Sequence, residues 1–360
     1  MDTIIMWMMA AAAVAGGADR LLGNRFGLGK RFEDGFMLLG PTALSMAGII
    51  CLAPLLSKGL AGGLVPLWTK LGLDAGVLGG ILAIDMGGYQ LAMDLAKNPV
   101  LGSYAGIIVA ATFGCTITFT IPVGMGMLQE EDKAVFADGI LIGLGLLPLA
   151  LVIGGILCAL TPGMVLWHLL PVFLLCVCLM LGIWRFPKGT VHMFTIFAEL
   201  IRILTTVGLA AGAVQFMTGW QIIPGMAPLE EAMQVVASIG IVMLGSLPFA
   251  ELLQRVLKRP LDWLGRKTGM NSNSITGLLI GIVSVVPAIA LMKDMDKKGK
   301  MANAAYLVCA ASALAAHMGF TFGVEPKMVI PLLATKFFGG VVGVCGALMF
   351  AQLQKDSFAI

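Results

Sequence analysis

Apolar positions run along the whole chain in long stretches broken by short polar strips. The stretches lie at roughly 3–18, 35–57, 75–95, 99–127, 134–160, 162–184, 191–217, 231–257, 274–293, 301–323 and 328–351. Nearly all match the ~20 residues with which a helix crosses about 30 Å of hydrocarbon. The alternation of a membrane β-barrel strand is absent. The pattern therefore predicts an all-α polytopic membrane protein. Strips such as "QEEDKA", "RFPKGT" and "KDMDKKGK" are too short for a soluble domain, so function belongs inside the membrane region or at its mouths.

The two halves of the pattern resemble each other. "LAPLLSKGLAGGLVPLWTKLGL" aligns with "SLPFAELLQRVLKRPLDWLGRKTGM", placing Pro54 on Pro248, Trp68 on Trp263 and Gly72 on Gly269 at separations of 194, 195 and 197. Further on, "ITFTIPVG" meets "MGFTFGVEP", with Phe119 on Phe320 at a separation of 201. So steady an offset predicts an internal repeat. It divides the chain into a first transmembrane repeat at 1–160, a linking helix and loop at 161–190, and a second repeat at 191–360. In this register Asp85-Met86-Gly87-Gly88 falls opposite Ser284-Val285-Val286-Pro287, so both halves carry a helix breaker at the same place.

Charge decides how the broken segments cross. If all eleven stretches span, with the N-terminus outside, loop Lys and Arg divide 10 inside to 11 outside and orient nothing. If 75–95 and 274–293 are instead re-entrant hairpins, the division becomes 17 inside to 4 outside, the four being Lys58, Lys70, Lys97 and Lys327. The better reading is nine transmembrane helices plus two re-entrant or broken segments, with eleven spans as the alternative. The same change turns the repeat from parallel to inverted, because 35–57 and 231–257 then run in opposite directions. Inverted repeats with paired breaks are a signature of secondary transporters, whose substrate sits where the breaks meet.

Composition agrees with the pattern. Hydrophobic residues are 59% of the 360 and charged residues 12%, with a mean hydropathy of +0.96. The net charge of +3 comes from loops and forms no basic cluster with aromatics, so nucleic acid is not an expected partner. The lipid bilayer is the expected one. The 47 glycines include small-xxx-small pairs at Gly59/Gly63, Gly102/Gly106, Gly208/Gly212, Gly277/Gly281 and Gly339/Gly343, suited to close helix approach. The seven cysteines lie in apolar stretches with no C-x-x-C, and read as free thiols rather than disulfide or metal ligands. The first twenty residues imitate a signal peptide, but the n-region is acidic and the basic residues follow the apolar run, which predicts a retained first span.

Asp85 is the chemical focus. An ionised carboxylate at mid-membrane costs about 2.5–3.5 kcal/mol on insertion scales, so it needs a partner or a task. No Lys or Arg lies within helical reach of it. Gly87 and Gly88 would free backbone carbonyls, and Tyr89 adds an aromatic face and a hydroxyl; together these suit a small ammonium ion. The competing structural reading is a protonated Asp85 capping a half-helix. Asp94 reads as a solvated boundary residue. Thr112, Thr116 and Thr120 share one helix face and could line a polar path, or could bond back to their own helix. In the second half Ser284, His317 and Thr321 occupy comparable positions, with Asn271 and Asn273 nearby; His317 reads equally as a packed, helix-bridging residue. Glu199 and Arg202, three apart, should neutralise each other. Lys336 and Glu251 have no evident partner in sequence. No Walker spacing, H-x-x-x-H or G-x-S-x-G is present, so neither an enzyme nor a cofactor or metal site is expected; an integral-membrane transferase using His317 is the enzymatic rival.

"RFEDGFMLLGPTALSMAGIICLAPLL" (31–56), "ILAIDMGGYQLAMDLA" (81–96) and "GCTITFTIPVGMGML" (114–128), following a first span that ends in "ADRLLG", resemble the ethanolamine utilisation permease family, EutH. The resemblance covers nearly the whole chain and is most specific at the D-M-G-G element. It implies uptake of ethanolamine across a bacterial cytoplasmic membrane by a multi-pass carrier. Ethanolamine is a primary amine that, like lysine, is mostly protonated at neutral pH. Uniport driven by potential, or symport with H+ or Na+, fits such a substrate, as does a homo-oligomeric carrier; a carrier for another small cationic or polar nutrient is the alternative.

Overall fold

The computed structural model describes residues 2–82 and 85–357. Among these, eight helices are long and apolar enough to cross a membrane, and a bent pair brings the number to nine. This agrees with nine spans and not with eleven. The spans are α1 (Asp2–Leu21), α2 (28–62), α5 (99–127), α6 (Glu130–Leu157), the bent pair α7 (Pro162–His168) and α8 (Leu170–Arg185), α9 (Pro187–Thr218), α10 (Leu229–Thr268), α13 (297–324) and α14 (Val329–Ser357). The remaining apolar stretches are short-armed: α3 (Gly76–Ile81) and α4 (Gly88–Leu95) flank the first break, α11 (Ser272–Gly281) and α12 (Val285–Ala290) the second. Large apolar side chains such as Trp7, Leu44, Trp184 and Met349 are exposed around the perimeter, as a lipid-facing surface requires.

Two helices outrun the sequence expectation. The polar strip after 257 is helical through Thr268, and α2 begins at Leu28, inside a strip read as loop. Charged residues are excluded from lipid but not from helix, so an apolar stretch marks the membrane and not the helix end. The start of α2 is held by Asp19 at the end of α1, whose carboxylate accepts the backbone N–H groups of Phe26 (2.9 Å), Leu28 (2.8 Å) and Gly29 (2.9 Å). It satisfies donors that a helix N-terminus leaves open.

Small residues set the packing. α6, α13 and α14 form a tight cluster, in which a Cβ at Gly139 would stand 2.4 Å from the Met301 carbonyl oxygen. A second group contains α1, α2, α9 and α10. There Gly48 and Gly208 bring α2 and α9 together so closely that a Cβ on Gly48 would lie 1.8 Å from the Thr205 carbonyl oxygen. Gly208 is one of the predicted close-approach positions; Gly59, from another such pair, faces open space. All seven cysteines are free, with Cys178 and Cys345 exposed.

Candidate functional site

The functional architecture is best read from the two broken segments. Asp74 sits at the entrance of the first. Its Oδ1 accepts the Gly76 N–H at 2.8 Å and its Oδ2 accepts the N–H of Asn98 at 2.9 Å, so the residue entering the segment is bonded to the residue leaving it. Between them α3 and α4 run against each other: a Cβ on Gly79 would lie 2.4 Å from Ala92 Cα, and one on Gly76 2.7 Å from Ala96 Cβ. The segment is a hairpin that returns to its own mouth.

The second segment closes with the same two residue types exchanged. Asn271 enters and Asp296 leaves; Asp296 accepts the Asn271 N–H at 2.8 Å, the Ser274 hydroxyl at 2.6 Å and the Gly299 N–H at 3.1 Å. Burial raises the Asp296 carboxyl, but these donors outweigh it and hold the group below the usual carboxylate range. Asn271 and Asn273, noted from sequence, donate their amides to the Asp294 carbonyl and belong to this mouth. Gly72 and Gly269, paired by the repeat register, precede the two mouths with φ of 70° and 72°. A left-handed turn that glycine adopts without strain recurs at the same point in both halves.

The mouths face opposite ways. Asp132, near the start of α6, forms an ion pair with Lys300 beside the second mouth. At the far end of α6 the chain turns into α7, where His168 Nδ1 accepts the Asp74 N–H at 3.0 Å and the Trp167 indole N–H reaches the Gly72 carbonyl at 3.3 Å. The 28 residues of α6 cover about 42 Å at 1.5 Å per residue, so the hairpins enter from opposite membrane faces. The repeat is inverted.

Each hairpin precedes a span that is itself perturbed. α5 is π-helical over Tyr104–Gly114 and Thr116–Thr120. α13 breaks at Ser312, which has φ of 52°, and its freed Ser312 and Leu314 N–H groups donate to the carbonyls of Gly281 (2.9 Å) and Ile282 (3.0 Å) at the tip of the second hairpin. In α5 the Ala111 carbonyl accepts the fully buried Lys336 ammonium at 2.5 Å. Lys336, without a visible partner in sequence, thus braces the irregular span. Each hairpin also reaches the irregular span of the other half. The first reaches α13, with the Tyr89 and Phe320 rings edge to face at 6.0 Å, and α12 of the second packs on the end of α5.

The predicted site residues divide accordingly. Asp85 begins a 3-10 turn at the first break, and its side chain lies outside the described residues. Gly87 and Gly88 are buried there, and Tyr89 is half-buried. Ser284 lines a cavity of about 150 Å³ at the second break, together with Arg31, Glu251, Gln254 and Pro287. A cavity of about 270 Å³ beside the first break is lined by Met86, Ser45, Thr118, Phe119 and Arg202. Thr116, His317 and Thr321 are buried and serve the helices: Thr116 donates to Thr112 O and across to Val308 O (2.9 Å), Thr321 to His317 O (2.8 Å), and His317 Nδ1 stands 3.0 Å from Ala311 O, beside the α13 break. Thr120 differs, its hydroxyl fully buried with no hydrogen-bond partner among the described residues.

The other charges pair as far as sequence allowed, or further. Glu199 and Arg202 form the expected ion pair, and Asp94 is exposed, taking a bond from Gln90 at 3.0 Å. Glu251 pairs with Arg31 at 3.0 Å and Arg255 at 3.1 Å. The reading that Glu251 has no evident partner in sequence is thereby corrected: Arg255 lies one helical turn away, at i+4, and only Arg31, 220 residues distant, was out of sequence reach. Glu325 was missed: it lies between α13 and α14 and accepts the Tyr89 hydroxyl at 3.3 Å. Its place at the end of an apolar stretch made it look like an ordinary boundary charge.

Comparison with known proteins agrees with this architecture. The model of the family "Ethanolamine utilisation protein, EutH" matches residues 1–350. A protein of Listeria monocytogenes called "Probable ethanolamine permease EutH" is 39% identical over 99% of this chain and 96% of its own length. "Uncharacterized protein YxeR" of Bacillus subtilis is 37% identical over 98% and 95%, and a "Probable ethanolamine permease EutH" of Salmonella typhimurium is 34% identical over 99% and 95%. No solved structure matches significantly. With inverted hairpins in a nine-span helical membrane protein, and a family match over nearly its full length, the chain belongs to the EutH ethanolamine utilisation family.

Proposed function

We propose that this protein is a secondary transporter that takes up ethanolamine, as the protonated amine, by alternating access. The observation that carries the reading is the pair of like-built hairpins entering from opposite faces, each ending in a break beside an irregular span. Such discontinuities offer backbone polar groups to a solute at mid-membrane without exposing them to lipid. The names of the relatives supply the substrate, and its chemistry fits the acidic and aromatic groups around the first break.

In this proposal Asp85 neutralises the ammonium at the first break, with Gly87, Gly88 and Tyr89 around it and Ser284 at the second. Thr120 offers a buried hydroxyl with no hydrogen-bond partner among the described residues. The moving bodies are the two packed groups, α5, α6, α13 and α14 against α1, α2, α9 and α10, with the hairpins wedged between them. The membrane potential contributes about 2.3 kcal/mol per 100 mV for a monovalent cation, roughly fifty-fold accumulation, so no coupled ion is required. The deciding experiment is uptake of labelled ethanolamine into proteoliposomes holding the purified protein, with and without an imposed inside-negative potential and across pH. Uptake that responds to the potential and is competed by unlabelled ethanolamine is expected; no uptake above empty liposomes would refute the proposal.

A further inference from the structure

Glu325 has no role in the mechanism above, yet its setting is unusual. α13 starts at the second mouth, so Glu325, beyond its far end, stands on the side of the first mouth. There Cys158, just past α6, brings its sulfur within 3.8 Å of Met328. Tyr89, the partner of Glu325, is recessed: its Cα would lie 2.7 Å from a Cβ on Gly106, eight residues into the membrane from Asn98, or about 12 Å at 1.5 Å per residue.

Glu325 is half-buried, and among the described residues no Lys, Arg or His forms an ion pair with it. Lys327, two residues on, is exposed. The bond Glu325 accepts comes from a neutral phenol at 3.3 Å, well beyond the ~2.5–2.7 Å of a strong O–H···O⁻ bond. The Tyr89 ring that carries this donor packs edge to face on Phe320 at 6.0 Å between centroids. A carboxylate held by one weak neutral donor is a better acceptor for an ammonium, which brings three N–H donors and a full charge.

We propose that Glu325 and Tyr89 form an outer capture site for a small primary ammonium, in which the ligand's ammonium displaces the Tyr89 hydroxyl from the carboxylate. The displaced phenol then faces the ligand's own hydroxyl, so Tyr89 distinguishes an amino alcohol from a plain alkylamine. No covalent step is involved, and Asp85 receives the ammonium deeper in. The inference rests on the transport reading, which the wild-type control tests separately.

The test is ethanolamine uptake by full-length protein in proteoliposomes, comparing wild type with Glu325→Gln, Glu325→Asp and Tyr89→Phe, with ethylamine as competitor. Glu325→Gln is expected to raise KM about ten-fold or more, as loss of a charge-assisted bond implies, with Glu325→Asp recovering part of it. Tyr89→Phe is expected to bring ethylamine and ethanolamine closer to equal potency. In detergent, ethanolamine should raise the melting temperature of the wild type more than that of Glu325→Gln. Wild-type KM and an undiminished thermal shift in Glu325→Gln would overturn the capture site while leaving transport standing. If Glu325→Gln does not fold, an unchanged KM in Glu325→Asp together with unchanged selectivity in Tyr89→Phe would overturn it instead. Absence of wild-type uptake would overturn the transport reading and this site with it.

Discussion

At the scale of single residues, polar groups inside the membrane region sort by whether the protein itself already satisfies them. Thr116, Thr321 and His317 all have intraprotein partners, so their hydroxyls and ring serve the irregular helices first. Thr120 has none among the described residues. Replacing a buried, unbonded hydroxyl by a methyl group removes a desolvation penalty of about 1–3 kcal/mol. Thr120→Val is therefore expected to leave the melting temperature in detergent unchanged or raised, while slowing uptake if that hydroxyl meets the solute. A lowered melting temperature would show that the hydroxyl is bonded after all. Asp85→Asn keeps the shape and removes the charge; labelled ethanolamine uptake should fall to background with normal delivery to the membrane, and retained uptake would exclude Asp85 from the site.

At the scale of elements, the two mouths are the structural devices that make a hairpin of a segment that otherwise reads as a span. Asp74 closes one and Asp296 the other. Single cysteines at positions 70 and 97 should react with a membrane-impermeant thiol reagent from the same face, and one at 293 from the opposite face; labelling of 70 and 97 from different faces would refute the first hairpin. The Asp296 carboxyl is held low when folded, so its contribution to stability is complete above the unfolded value of about 3.9 and is lost as pH falls through the lower folded value. Acid unfolding below about pH 4 should thus be less steep in Asp296→Asn than in wild type, measured by thermal melts at stepped pH. Asp74→Ala leaves the Gly76 and Asn98 N–H groups open and should cost about 2–4 kcal/mol.

At the scale of the whole molecule, the two sequence halves do not form two separate bodies. α6 from the first half packs between α13 and α14 from the second, and Thr116 of α5 bonds to Val308 of α13. The tight contact of α2 with α9 at Gly48 and Gly208 belongs to the opposite group. If the two groups move against each other, a disulfide between cysteines placed across their boundary should stop uptake, whereas one joining α6 to α14 within a group should not. Uptake assayed before and after reduction checks this, and equal activity of both cross-linked forms would rule out motion at that boundary.

How much was legible beforehand follows from the range of the forces involved. Hydrophobic stretches, loop charge and glycine or proline breaks are local or additive, and from them the chain alone determined the helical class and favoured nine spans over eleven, with two re-entrant or broken segments in opposite directions; that these are hairpins was decided by the contacts at their mouths. The register that paired Gly72 with Gly269 was visible in the same way, and both turned out left-handed. Partnership across space was not. The bonds of Glu251 to Arg31, Lys336 to Ala111 and Glu325 to Tyr89 join residues 220, 225 and 236 apart. Which polar groups are already satisfied, and which remain for a solute, depends on distances of about 3 Å between such residues, and only the packed tertiary structure sets those.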